Sequence, residues 1–182
     1  MPNNITSFDD LDTLFADYIQ EKLDLDADKV LISYQTQGKI APSISDNVVY
    51  IHTEQYYEEQ TQYKQRQEVY NAKTGKIDIH QQTMRTLSLD IVFYGAQSAE
   101  LATLLNEIIY FDSSKQFFSK HNLALIPDKT ELTLHIHEII NGQWWDRCDL
   151  KLRFYNSIET VDGVNTIDSV DVNMNGIEFI VS

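Results

Sequence analysis

Residues Thr86-Leu87-Ser88-Leu89-Asp90-Ile91-Val92-Phe93-Tyr94, running into Gly95-Ala96, decide the fold. A strand turns successive side chains to opposite faces, so Leu87, Leu89, Ile91 and Phe93 share one buried face while Thr86, Ser88 and Asp90 take the other. The same parity reaches back to Ile77 and Ile79. Beyond Gly95 the period changes to three and four. Ser98 stands where an N-cap is expected, and Leu101, Leu104, Leu105, Ile108 and Ile109 form the inward stripe of a helix ending near Tyr110, with Phe117 and Phe118 on a shorter helical piece.

Working outward, residues 7–25 carry Phe8, Leu11, Leu14, Phe15, Tyr18, Ile19 and Leu23 on one stripe, which predicts an amphipathic helix lying on a sheet. Thr6 or Ser7 can cap it, and Asp9 and Asp10 meet the positive end of its dipole. Strands are expected at residues 30–34 and 48–53, separated by a loop with Gly38 and Pro42. Residues 54–85 are polar, rich in Gln and Tyr, and carry a turn signal at 71–75. Two such runs cannot bury enough apolar surface to be core, so a protruding β-hairpin arm is expected. After Pro127, Leu132, Leu134 and Ile136 alternate with Thr133, His135 and His137; Asn141-Gly142 reverses the chain, and Cys148, Leu150, Leu152 and Phe154 alternate with Asp149, Lys151, Arg153 and Tyr155. The expected fold class is α+β: a mainly antiparallel β-sheet with helices packed on one face, plus the long protruding hairpin arm.

The chain has 182 residues, enough to remove roughly 70% of its unfolded surface from water in one domain. With 42% hydrophobic residues, six Gly and three Pro, disorder is excluded as the main theme. Fourteen Lys and Arg against 28 Asp and Glu give a formal charge of −14, which opposes any general phosphate-binding face. The charge is uneven. Residues 1–29 hold eight acids and two bases, residues 61–85 five bases and two acids, and residues 156–182 five acids and no base. No apolar run approaches a membrane span, so no membrane partner is expected, and the opening Met1-Pro2-Asn3-Asn4 lacks the basic-then-apolar pattern of a secretory signal. The lone Cys148 fits a reducing compartment.

Chemistry-bearing patterns are few. Asp24, Asp26 and Asp28 resemble the opening of a calcium loop, but Lys29 and Gln35 stand where its glycine and closing acid would be. His135 and His137 share a strand face as a metal would want, with no third ligand near in sequence. Cys148 is in phase with Leu150 and Leu152 and so buried, and no GxSxG, GxxxxGK[ST] or GxGxxG motif occurs. No catalytic, cofactor-binding or metal residue is therefore assigned, and the chain is expected not to be an enzyme. Trp144, Trp145 and Arg147 form the densest recognition-type cluster, one Trp expected inside and the other anchoring a contact. Tyr56, Tyr57, Tyr63 and Tyr70 lie on the arm, where aromatics without a core suggest a partner surface. The expected interface is Tyr63, Arg66, Tyr70, Lys73 and Lys76 with Trp144, Trp145 and Arg147. The alternative is a soluble small-ligand or metal-binding module using the His135/His137 face.

In order and local pattern the chain resembles the phage neck or tail-terminator proteins, which join a tail to the capsid connector. The resemblance is carried by the amphipathic helix, Val48-Val49-Tyr50-Ile51, the strand ending Phe93-Tyr94-Gly95-Ala96-Gln97-Ser98-Ala99, Leu125-Ile126-Pro127, Gln143-Trp144 with Arg147, Leu152-Arg153-Phe154-Tyr155-Asn156 and Ile167-Asp168-Ser169-Val170. It implies one tail-terminator-like domain over residues 1–182, with 56–84 an inserted arm and 157–182 an acidic extension. It implies a structural virion protein, assembled in the host cytoplasm, that forms a hexameric ring at the head-proximal end of the tail. Its implied partners are further copies of itself, the tail tube protein, the neck or connector (head-completion) protein, the sheath protein, and DNA passing through an acidic lumen without specific binding.

Overall fold

The computed structural model describes residues 7–34, 43–56, 64–127, 133–165, 170–174 and 177–181. The Gly38 and Pro42 loop, Tyr57, Tyr63, Leu132 and residues 167–169 lie outside them. The elements are α1 (Phe8–Leu23), β1 (Val30–Ile32), β2 (Val48–Tyr56), β3 (Lys64–Asn71), β4 (Lys76–Tyr94), α2 (Ser98–Ile108), α3 (Asp112–Ser119), β5 (Leu123–Ile126), β6 (Leu134–Ile140), β7 (Gln143–Asn165), β8 (Val170–Met174) and β9 (Ile177–Val181). The fold is α+β, with a mixed, mostly antiparallel sheet of seven strands and the helices on one side.

The chain divides into two compact units. The first, Met1–Gln62 with Met84–Ile158, carries the helices and strands in the order β1-β2-β4-β7-β5, β6 pairing with the N-terminal part of β7. Strand β1 is parallel to β2, Val30 opposite Val49, whereas β2 is antiparallel to β4 with Val49 opposite Phe93, Ile51 opposite Ile91 and Thr53 opposite Leu89. That register puts the alternating apolar residues of both strands on one face, where they meet Leu11, Phe15, Tyr18 and Ile19 of α1 and Leu150, Leu152 and Phe154 of β7. Aromatic rings knit the layers together. Phe118 of α3 lies 5.0 Å from Phe154 and 4.6 Å from Tyr18, and Phe15 lies 5.0 Å from Phe154. The buried Tyr18 hydroxyl donates to Ser114 Oγ at 2.7 Å, and Ser114 donates in turn to the Ile108 carbonyl at 2.8 Å, so no polar cost is left at the centre of this cluster.

The second unit comprises Tyr63–Thr83 and Glu159–Ser182. In it β3 pairs antiparallel with the first part of β4, from Lys64 opposite Thr83 to Asn71 opposite Lys76. Its turn is set by Asn71, whose side chain accepts from the Lys73 N–H and donates to Asp78 at 2.7 Å, and by Gly75 at φ +68°. Strand β7 extends to Asn165, well into the stretch expected to be an acidic tail, and β8 and β9 pair as a further hairpin. His80 bonds Glu159 at 2.8 Å within this unit.

Two details differ from the sequence expectation. Ser98 is the first residue of α2 and is buried, with Gln97 at the cap position, and neither Gln97 nor Ser7 makes a side-chain cap bond. The corner between β4 and α2 is instead fixed by Gly95 and Asn47. Asn47 donates to Gln97 Oε1 at 2.7 Å and accepts from the Gln97 N–H at 3.1 Å. Gly95 sits at φ +112°, and a Cβ there would lie 2.5 Å from the Asp46 carbonyl oxygen and 2.6 Å from Asn47 Oδ1. No L side chain fits without moving the backbone. Gly95→Ala is expected to cost about 2–4 kcal/mol, read as a fall in Tm of about 5–15 °C for a chain of this size; an unchanged melting curve would contradict the close approach.

Asp12 is the one acid on the packed side of α1, buried against Thr53 with His52 nearby. Burial raises its pKa, outweighing the favourable interactions with Thr53 and His52. Because the folded value exceeds the unfolded one, about 3.9, its contribution to stability is complete at low pH and is lost as pH rises through the folded pKa. Asp12→Asn is expected to gain on the wild type as pH rises from the unfolded value of about 3.9 through the folded one, and to keep that gain above it, in Tm measurements; a difference independent of pH would sink this reading.

Candidate functional site

Opposite the helices, the outward-facing residues of β2, β4, β6 and β7 in the first unit build a polar and aromatic surface. Strand parity aligns Tyr50 on β2, Tyr94 on β4 and Trp145 and Arg147 on β7; Tyr94 meets Tyr50 edge-on at 5.9 Å and Trp145 edge-on at 6.1 Å. The Tyr94 hydroxyl donates to Glu138 Oε2 at 2.8 Å. Arg147 is the hub. It holds Asp149 through both Nε (2.7 Å) and an Nη (2.8 Å), reaches Glu138 at 3.2 Å and lies 5.8 Å from the Tyr94 ring centroid. A planar guanidinium suits this bidentate and stacked role in a way that lysine does not. Further along the same face Lys151 pairs with Asp90 at 3.0 Å, and Arg153 covers Tyr56 at 4.4 Å.

The ionisation states follow from these contacts. Burial, with the Glu138 bond and charge, pushes Tyr94 up to about 12, so its phenol keeps its proton to donate. Glu138 is held below the ordinary carboxylate range, first by the Tyr94 hydroxyl and then by Arg147. Arg147 is raised above its usual value, chiefly by the Asp149 bonds. Cys148, on the opposite face, is buried, and its thiol is pushed up by burial and by the Asp149 charge, which leaves it a poor nucleophile.

The expected interface residues divide sharply by exposure. Trp145 is 8% exposed and belongs to the Tyr94 network, whereas Trp144 is 65% exposed. Trp144 pairs across the hairpin with Ile139, itself exposed, so an indole and an aliphatic chain stand side by side in solvent. Arg147 spends its donors within its own chain. On β3 and the turn, Tyr70 is 65% exposed, Lys73 and Lys76 are exposed, and Arg66 pairs with Glu68 of the same strand at 2.8 Å. Tyr63 is outside the described residues. Asp24, Asp26 and Asp28 are exposed around the C-terminal end of α1, where Asp24 takes the left-handed cap conformation.

Sequence reasoning missed Tyr94, Glu138 and Asp149 as partners of Arg147. The signal was present in the strand parity of Trp145, Arg147 and Asp149, but the cross-strand register that brings in Glu138 is set by the Asn141-Gly142 turn, with φ of +52° and +79°. His135 and His137, by contrast, acquire an acidic neighbour across the same hairpin: Asp146, opposite His137.

Among the described residues no helix is long and apolar enough to cross a membrane. Compared with known proteins, residues 9–179 match the sequence model of a family described as phage neck terminator protein. No curated protein matches the chain.

Replacing Arg147 with Met is expected to cost about 1–2 kcal/mol in urea unfolding at pH 7, since Glu138 and Asp149 lose their shared cation at a partly solvated site. Glu138 has a lowered folded pKa, so its contribution is present above the unfolded value of about 4.3 and is lost as pH falls through the folded one. The gap between wild type and Arg147→Met should therefore narrow at acid pH; a gap that widens there would refute the assignment.

Proposed function

The chain belongs to the phage neck terminator family, and from that footing we propose that copies of it close into a hexameric ring at the head-proximal end of the tail, end growth of the tail tube and join the tail to the neck. The observation that carries this reading is the reach of the family match, residues 9–179, which takes in the helical body and the strands of both units. The role is structural and needs no catalytic group. Tail tube and connector proteins are the neighbours such a position entails, joined by a sheath protein where the tail is contractile.

Charge and exposure support closure between identical copies. The solvent side of α1 presents Asp9, Asp10, Asp17 and Glu21, whereas the β3–β4 turn presents Lys73 and Lys76 with Tyr70 close by. An acidic patch on one unit and a basic patch on the other favour contacts between unlike patches of neighbouring copies, which close into a ring when the rotation between neighbours permits. The exposed Trp144 and Ile139 offer the kind of apolar anchor that central interface residues supply. Acids facing an inner wall would repel DNA phosphates and let a genome pass without being held.

Light scattering after size exclusion, with electron microscopy of the same fractions, tests the reading. The full chain is expected to give six-fold rings, alone or on tail tubes. Replacing residues 64–83 with a short Gly-Ser linker removes none of the core residues and should leave a folded chain that no longer assembles. A wild-type chain that stays monomeric with tail tubes would overturn the ring, and rings from the shortened chain would remove the hairpin from it.

A further inference from the structure

We propose that His135, His137 and Asp146 form a binding site for a divalent transition metal of the zinc class, on the hairpin face that also bears Trp144. His135 and His137 alternate along β6 and share a face, with ring centroids 4.9 Å apart. The β6–β7 register sets Asp146 opposite His137, and the Asp146 carboxylate lies 3.3 Å from His137 Nε2. The ligand atoms of all three residues lie within 4.8 Å of one another. Zinc bonded at about 2.1 Å in a tetrahedron places its ligand atoms about 3.4 Å apart. The His137–Asp146 edge already has that length, and rotation of the exposed His135 ring covers the remaining distance.

The donor chemistry selects the metal class. Two imidazole nitrogens and one carboxylate oxygen suit Zn²⁺, Co²⁺, Ni²⁺ or Cu²⁺, whereas Mg²⁺ and Ca²⁺ require mainly oxygen ligands. Among the described residues the ring contact and the ion pair of the three side chains lie within the trio, so among those residues a metal would displace no other such contact. Cys148 lies opposite His135 in the register but does not join the cluster: its thiol is buried and bonded to Thr133. Water completes the coordination. A bound ion would clamp β6 to β7 two residues from Trp144, which gives the site an optical reporter.

Zn²⁺ titrated calorimetrically into the metal-stripped full chain is expected to show one saturable equivalent and a rise in Tm. The double substitution His135→Ala/His137→Ala should weaken binding at least tenfold, as should Asp146→Asn if the pair does not fold, while His80→Ala in the other unit should leave it unchanged. Ni²⁺ or Cu²⁺ should quench tryptophan fluorescence, and Trp144→Phe should remove most of that signal. Absence of a saturable isotherm, or one that survives both the double substitution and Asp146→Asn, would overturn the proposal.

Discussion

Helices cover only one face of the main sheet, and that asymmetry governs the rest of the first unit. On the covered face Leu87, Leu89, Ile91 and Phe93 meet apolar partners, and buried polar groups there are bonded in small sets such as the Tyr18–Ser114–Ile108 relay and the Arg85–Asn156 pair. The other face carries side chains long enough to screen their own strands. Arg147, Tyr94 and Glu138 do this by satisfying one another, with Trp145 packed edge-on against the Tyr94 ring, which turns a partly wet surface into a fixed platform. Large flat aromatics and a guanidinium suit the task, since each covers area, and the Tyr94 hydroxyl and the Arg147 guanidinium spend their polar atoms on neighbours.

The same hairpin that supplies this platform presents quite different chemistry on its reverse. One side of β6–β7 holds Glu138, Trp145 and Arg147 in internal contacts, and the other carries His137 with Asp146 and then Ile139 with Trp144. The side bound up in its own contacts makes the hairpin rigid, and the exposed side is thereby held in a fixed shape. Recognition gains from such pre-ordering because fewer rotamers are lost on contact. Two consecutive tryptophans thus divide the labour: one packs into the platform on one side of the hairpin, and the other is displayed on its reverse.

Much of this was readable from the residues. The alternation in β4, the stripe of α1, the Phe117–Phe118 helix, the Asn141-Gly142 turn and the burial of Cys148 all follow from periodicity. The parallel β1–β2 pair and β5 did not, because both strands are short and owe their place to neighbours distant in sequence. Ser98 illustrates how local propensity yields to context. Its composition favours a cap, but Gly95 and Asn47 take over the corner and leave the hydroxyl group inside the helix.

By itself, the chain's pattern determined which faces are apolar, where the turns fall and how the charge is spread, since these depend on period and composition alone. Which of Trp144 and Trp145 is buried, which acids hold Arg147 and which carboxylate joins the two histidines were decided only in three dimensions. Those outcomes depend on the registers of β7 with β4 and β6. A one-residue slip in either would exchange every side chain between the two faces, and no spacing along a single strand encodes that choice.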